Sequence, residues 1–167
     1  MTQVERHTLT VLVDNEAGVL ARVVGLFSGR GYNIESLTVA EVDAAARTSR
    51  ITIVSSGTPQ VIEQIETQLR RLVPTHKVTN WSAAKAGIER EMALIKVAGT
   101  GDKRMEALRM ADAFRARAVD TTHSSFVFEI TGAPGKIDSF IDLMRPLGLI
   151  DVSRTGVAAI SRGPEAM

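Results

Sequence analysis

Hydrophobic periodicity along this chain alternates between two residues and about 3.6 in the order strand, helix, strand, strand, helix, strand, and it does so twice. In the first half, "HTLTVLV" (His7 to Val13) sets Leu9, Val11 and Val13 on one face at period two, as a half-buried strand does. From Ala17 to Gly29, Val19, Leu20, Val23, Val24 and Phe27 fall on one helical face, and Gly31 is placed to end the helix. "IESLTVAEV" and "SRITIVSS" return to strand spacing on either side of the loop "DAAAR". Thr58 as cap and Pro59 in the first turn open a second helix whose stripe is Ile62, Ile65, Leu69 and Leu72. Pro74 stops it, and "THKVTNW" is a short fourth strand. This is the split order of a ferredoxin-like unit.

The second half repeats the order with little identity. "REMALIKVA" reads as a strand, and "GTGDKRMEALRMADAFRA" as a helix with Leu108, Ala111, Phe114 and Ala118 on one face. "AVDTT" and "SFVFEIT" form a hairpin around His123 to Ser125. "GAPGK" then opens a helix with Ile137, Phe140, Ile141 and Met144 at i, i+3, i+4 and i+7, and Pro146 and Gly148 end it before "LIDVSRT". The expected fold is α+β, two ferredoxin-like βαββαβ domains in tandem. The expected boundaries are residues 1–82, a small-residue linker over 83–88 within "SAAKAGIE", and residues 89–167. The apolar start of the tail "GVAAISRGPEAM" predicts that it docks, and its end that it frays. With both helices of each unit on one sheet face, the other face is left for a dimer or domain contact. Leu12, Ala40, Val54 and Val127 lie there, mixed with Thr8, Thr10, Thr38 and Thr52.

Composition narrows the function classes. At 167 residues the chain can bury a core without staples. The absence of cysteine excludes disulfides, thiolate metal sites and thiol nucleophiles. A net charge of +1 with interspersed signs and 4% aromatic residues argue against a nucleic-acid footprint or a base-stacking platform. "MTQVERHTL" holds no apolar signal region and no stretch is long enough to span a membrane, so the cytoplasm is the expected compartment.

The stretch that invites a ligand is "VLVDNEAGVLARVV". Asp14 or Asn15 can cap the following helix, and capping alone is one complete reading. Gly18, in the expected first turn, is the other. A glycine inside a helix costs about 0.5–1 kcal/mol relative to alanine, and its missing Cβ lets a carboxylate approach free amides at the positive end of the helix. No arginine or lysine lies in "DNEAGVL", so the anion would be small and singly charged. Asn33 offers an amide to either end of a zwitterion, unless it is only a left-handed turn residue after Gly31. Leu20 and Ile34 add apolar surface, and an aliphatic amino acid fits the set.

The same stretch, continued as "GLFSGRGYNIESLTVA", closely resembles the opening of the small regulatory subunits of acetolactate synthase (acetohydroxyacid synthase). The likeness runs on through "SRITIVSSG", "QIETQLRRLV", "EREMALIKV", "GKIDSF" and "SRTGVAAISRG", almost the whole chain. It implies an N-terminal ACT domain, an amino-acid-sensing βαββαβ module, followed by a second ferredoxin-like domain. It implies a non-catalytic homodimer that activates a catalytic large subunit in branched-chain amino-acid biosynthesis and mediates feedback inhibition by valine. Carried over, Asn15, Ala17, Gly18, Val19 and Leu20 of one chain hold part of the valine, and Asn33 and Ile34 of its neighbour close on the rest. Thiamine diphosphate, FAD and magnesium are expected only in the catalytic subunit, so this chain is expected to carry no cofactor and no metal.

Other signals are set aside. "GTGDKR" lacks the third glycine of a dinucleotide fingerprint, and Asp102 reads as a helix cap; "GAPGK" lacks the hydroxyl that would follow Lys136 in a phosphate loop. His7, His76 and His123 have no partner at ligand spacing, and Ser124 and Ser125 have no acid to orient His123. The competing readings are an ACT-type sensor serving another enzyme or regulator, and a small ferredoxin-like enzyme. A DNA-binding version of the first would carry a helix-turn-helix or basic stripe and the second a convergent set of titratable groups, and the sequence offers neither.

Overall fold

The structure is a computed structural model that describes residues 3–84 and 87–167. Its elements are β1 (Glu5–Asp14), α1 (Val19–Gly29), β2 (Ser36–Asp43), β3 (Thr48–Gly57), α2 (Pro59–Arg71), β4 (Thr75–Asn80) and the short α3 (Trp81–Ala84). There follow β5 (Gly87–Ala98), α4 (Gly101–Ala113), β6 (Arg117–Thr121), β7 (Ser125–Gly132), α5 (Pro134–Met144), β8 (Leu149–Arg154) and β9 (Ala158–Ser161). Both antiparallel sheets have the split order, β2-β3-β1-β4 and β6-β7-β5-β8, so the α+β tandem ferredoxin-like reading holds.

By internal contacts the chain divides into Met1–Ile88 with Val157–Met167, and Glu89–Gly156. The last eleven residues therefore belong with the first unit, whereas the sequence pattern alone grouped them with 89–167. The expected linker is also partly ordered structure: residues 81–84 are helical and β5 begins at Gly87, with Lys85 and Ala86 outside the described residues.

In the first unit Leu9, Val11 and Val13 pack with Val23, Phe27, Ile62, Ile65 and Leu69, the two helical stripes meeting one face of the sheet. Thr58 Oγ1 accepts from the Val61 amide at 3.4 Å and Pro59 opens α2, as the sequence signals. In the second unit Ile95, Phe128 and Ile130 pack with Ile137, Phe140 and Met144. Two details differ from the periodicity. Ala107 and Ala111 face the core on α4 while Leu108 is exposed, and Thr100, not Asp102, occupies the cap position, without a side-chain bond. Small residues face inward there because the phenylalanines of β7 and α5 already fill the space.

The face of the first sheet away from its helices is covered in part, although Ala40 on it is exposed and Leu12 is half-buried. Thr8, Thr10, Thr52 and Val54 are buried on it, at the registers Thr8↔Val54 and Thr10↔Thr52. The chain's single tryptophan covers part of this face: Trp81, 5% exposed, donates its indole Nε1–H to Thr10 Oγ1 at 2.7 Å, and Ser82 Oγ accepts from the Thr8 amide at 3.0 Å. Val157, fully buried, covers another part over β2. On the second sheet the corresponding positions Leu94 and Lys96 are exposed.

Candidate functional site

β1 delivers the chain into the loop Asp14–Gly18, and backbone bonds from distant segments pin that loop. The Asn15 amide donates to Arg47 O at 2.7 Å and the Asp14 amide to Pro74 O at 3.2 Å. Side chains add to this. Asn15 Nδ2 donates to Glu41 Oε2 at 2.7 Å, and His76 Nε2 lies 2.5 Å from Asp14 Oδ1. Arg22 Nη1 donates to Glu16 Oε1 at 3.0 Å and to Val73 O at 3.2 Å. Both acidic side chains of the loop are thus turned onto cationic or ionisable partners, and Asn15 onto Glu41. None of the three caps the helix.

Here the structure corrects the capping argument. The helix starts at Val19 rather than Ala17, and Gly18 is its N-cap residue at φ +84°, with no side-chain cap bond. The glycine therefore has a conformational reason that the sequence pattern did not show: the left-handed region is costly for any residue with a Cβ. Among the described residues the amides of Ala17, Gly18, Leu20 and Ala21 donate no hydrogen bond, so four donors stand free at the positive end of an eleven-residue helix. A Cβ built on Gly18 would meet nothing within 4 Å, so the space above these amides is open. Such an arrangement can bind a small anion such as a carboxylate.

The other candidate residues divide into two groups. Ala17 and Gly18 are exposed, Leu20 is 39% exposed at the rim although its spacing suggested the core stripe, and Val19 is buried beneath them. Asn15 is half-buried beside Glu41. Asn33 and Ile34 lie beyond the far end of α1, which at 1.5 Å per residue is roughly 16 Å long. Asn33 is exposed, and its carbonyl accepts from Ser55 Oγ at 2.7 Å. Ile34 is half-buried and packs on the core, while the Glu35 amide donates to Val54 O at 2.8 Å. One copy of the chain therefore does not bring its Asn33 to its own Gly18. Arg22, Glu41 and Arg47 were not singled out from sequence and His76 was weighed only as a metal ligand, yet all four shape the loop by contacts six to 62 residues away.

Among the described residues no three of His, Cys, Asp and Glu gather as a metal site would require, and no helix is long and apolar enough to cross a membrane. "GTGDKR" and "GAPGK" lead into α4 and α5, as helix starts do.

Comparison with known proteins accounts for both units. The family described as "AHAS small subunit-like ACT domain" matches residues 9–77, and the family described as "Small subunit of acetolactate synthase" matches residues 90–163. The chain is 46% identical to the probable acetolactate synthase small subunit of Archaeoglobus fulgidus, covering 95% of this chain and 98% of that one. It is 43% identical to the small subunit of acetolactate synthase isozyme 3 of Escherichia coli, covering 97% and 99%. The crystal structure of the acetolactate synthase small subunit from Thermotoga maritima superposes with a TM-score of 0.83 at 38% identity, covering 96% of this chain and 99% of that one. With both units matched and full-length identity well above 30%, this chain belongs to the acetolactate synthase small-subunit family.

Proposed function

We propose that this chain is a non-catalytic regulatory subunit that activates the catalytic large subunit of acetolactate synthase and lowers its activity when valine binds. The observation that carries the effector site is the set of free amides at Ala17, Gly18, Leu20 and Ala21 under open space. They would receive the valine carboxylate, with Leu20 against its side chain. The ammonium end is assigned to Asn33, and in this copy Asn33 is a helix length away.

A homodimer supplies it. β2 is an edge strand of the first sheet, and Val39 and Val42 on it are exposed. If two copies pair β2 edges antiparallel about a twofold axis, the start of one β2 falls beside the end of the other. That end carries Glu41, to which Asn15 is bonded, so the partner's Asn33 and the partner's Ile34 arrive at the "DNEAG" loop. The mechanism is linkage. Valine binds better to the dimer state that activates less, and so shifts the population toward it, with a coupling typically about 5–150-fold.

Reconstitution with a purified catalytic subunit tests this reading. The chain should raise acetolactate formation, and valine should reverse the increase with saturable dependence. Absence of activation, or activation indifferent to valine, leucine and isoleucine alike, would refute it.

A further inference from the structure

The chain leaves the second unit at Gly156 and re-enters the first at Val157, and both flanks of that step are clamped. On one side the Thr155 amide donates to Met92 O at 3.0 Å, and Thr155 Oγ1 accepts from the Met92 amide at 3.1 Å. On the other, the Val157 amide donates to Ser36 Oγ at 3.0 Å, and Thr38 Oγ1 donates to Val157 O at 3.0 Å. Two hydroxyls of β2 thus hold both polar groups of one peptide residue, while the Val157 side chain is fully buried. Between the clamps stands one residue, Gly156, at φ +87°.

The position of this clasp gives it a consequence. Ser36 follows Ile34 by two residues, and Thr38 lies opposite Thr52, which shares a 3.3 Å hydroxyl contact with Thr10 under Trp81. Any change in the setting of the β2 start is therefore felt directly at the residue that anchors the returning chain.

We infer that Ser36 and Thr38 are positioning residues for regulation: they pass effector occupancy at the start of β2 to the polypeptide leaving the second unit, through Val157 and the Gly156 joint. The inference rests on the valine-site reading above. A ligand that closes on Asn33 and Ile34 selects one setting of β2, and the clasp makes the placement of Val157 part of that choice. Removing the hydroxyls leaves the binding loop intact and cuts the connection.

The test uses the full chain with its catalytic subunit and compares wild type, Ser36→Ala with Thr38→Val, and Ser36→Ala with Thr38→Ser. Valine binding is read by calorimetry, activation without valine and inhibition at saturating valine by acetolactate formation, and folding by Trp81 fluorescence. In the Ser36→Ala, Thr38→Val variant, valine should bind within about three-fold of wild type and activation should persist. The ratio of uninhibited to inhibited activity should shrink about five-fold per hydroxyl removed, the factor one ordinary hydrogen bond supplies. Thr38→Ser, which keeps the donor, should recover part of it. Should the double variant fail to fold, Thr38→Val alone should show the five-fold loss. Inhibition as deep as in wild type, or valine binding lost together with inhibition, overturns the inference and leaves the site reading standing. A wild-type chain that binds no valine overturns both.

Discussion

Thr10→Val should cost the first unit about 2 kcal/mol, nearly all of it through a residue 71 positions away. Valine matches threonine in shape, so packing beneath Trp81 is preserved and no cavity opens. The loss is the oxygen that accepts the Trp81 indole N–H at 2.7 Å. The indole is 5% exposed, so water does not replace that acceptor. A buried donor left unsatisfied costs about 1–3 kcal/mol, against about 0.5–1.5 kcal/mol for the net value of an ordinary hydrogen bond. The 3.3 Å contact with Thr52 Oγ1 is longer and adds less. In a Trp81→Phe background there is no indole N–H to orphan, and Thr10→Val should then cost about 0.5 kcal/mol. The difference, a coupling of about 1–2 kcal/mol, is measured by urea unfolding of the four members of the cycle followed by far-ultraviolet circular dichroism. An equal cost in both backgrounds would show that the indole is satisfied elsewhere and that the covering of this sheet face does not depend on Thr10.

Gly18→Ala and Gly101→Ala form a matched pair, since both glycines sit at positive φ at a helix start with nothing within 4 Å of a new Cβ. Each should lose about 1–2 kcal/mol of stability from the left-handed backbone, but only Gly18→Ala should weaken valine binding in calorimetry. Arg154 holds Glu91, whose side chain is 2% exposed, and also Asp138 at 2.7 Å. Burial opposes the Arg154 charge, and the hydrogen bonds to Glu91 and Asp138 outweigh it, raising its pKa. Arg154→Met should therefore destabilise the second unit by about 3 kcal/mol in chemical unfolding, and adding Glu91→Gln should return part of that. Val39→Asp with Val42→Asp sets like charges on the β2 edge, and sedimentation should show dimers giving way to monomers at micromolar concentration.

The order of elements in both units was legible because each strand and helix writes its own period into ten or so residues. The left-handed turn at Gly18 was not. Its φ follows from a loop tied to Arg47 O and Pro74 O, and such ties leave no periodic trace. Leu108 gave up its expected inward place on α4 to Ala107 for a similar reason, since aromatic side chains from β7 and α5 decide how much room that helix has. The candidate effector residues were recognisable from local pattern and family likeness together. Their separation into two groups at opposite ends of α1 already followed from the expected helix, whereas the tie of the Asn33 carbonyl to Ser55 Oγ became visible only with the fold. Docking of the tail was expected from its apolar start, but not its destination: Ser36 and Val157 are 121 positions apart.

Calorimetric titration of valine into the wild-type chain and into Gly18→Asp tests the central claim most directly. Asp at this position can adopt the left-handed backbone more readily than most residues, and it places a carboxylate in the open space where the ligand's own should lie. Saturable valine binding to wild type, with none to a folded Gly18→Asp, is the predicted result. Equal binding to both would contradict the account by showing that the amides at the head of α1 are not where the effector carboxylate sits.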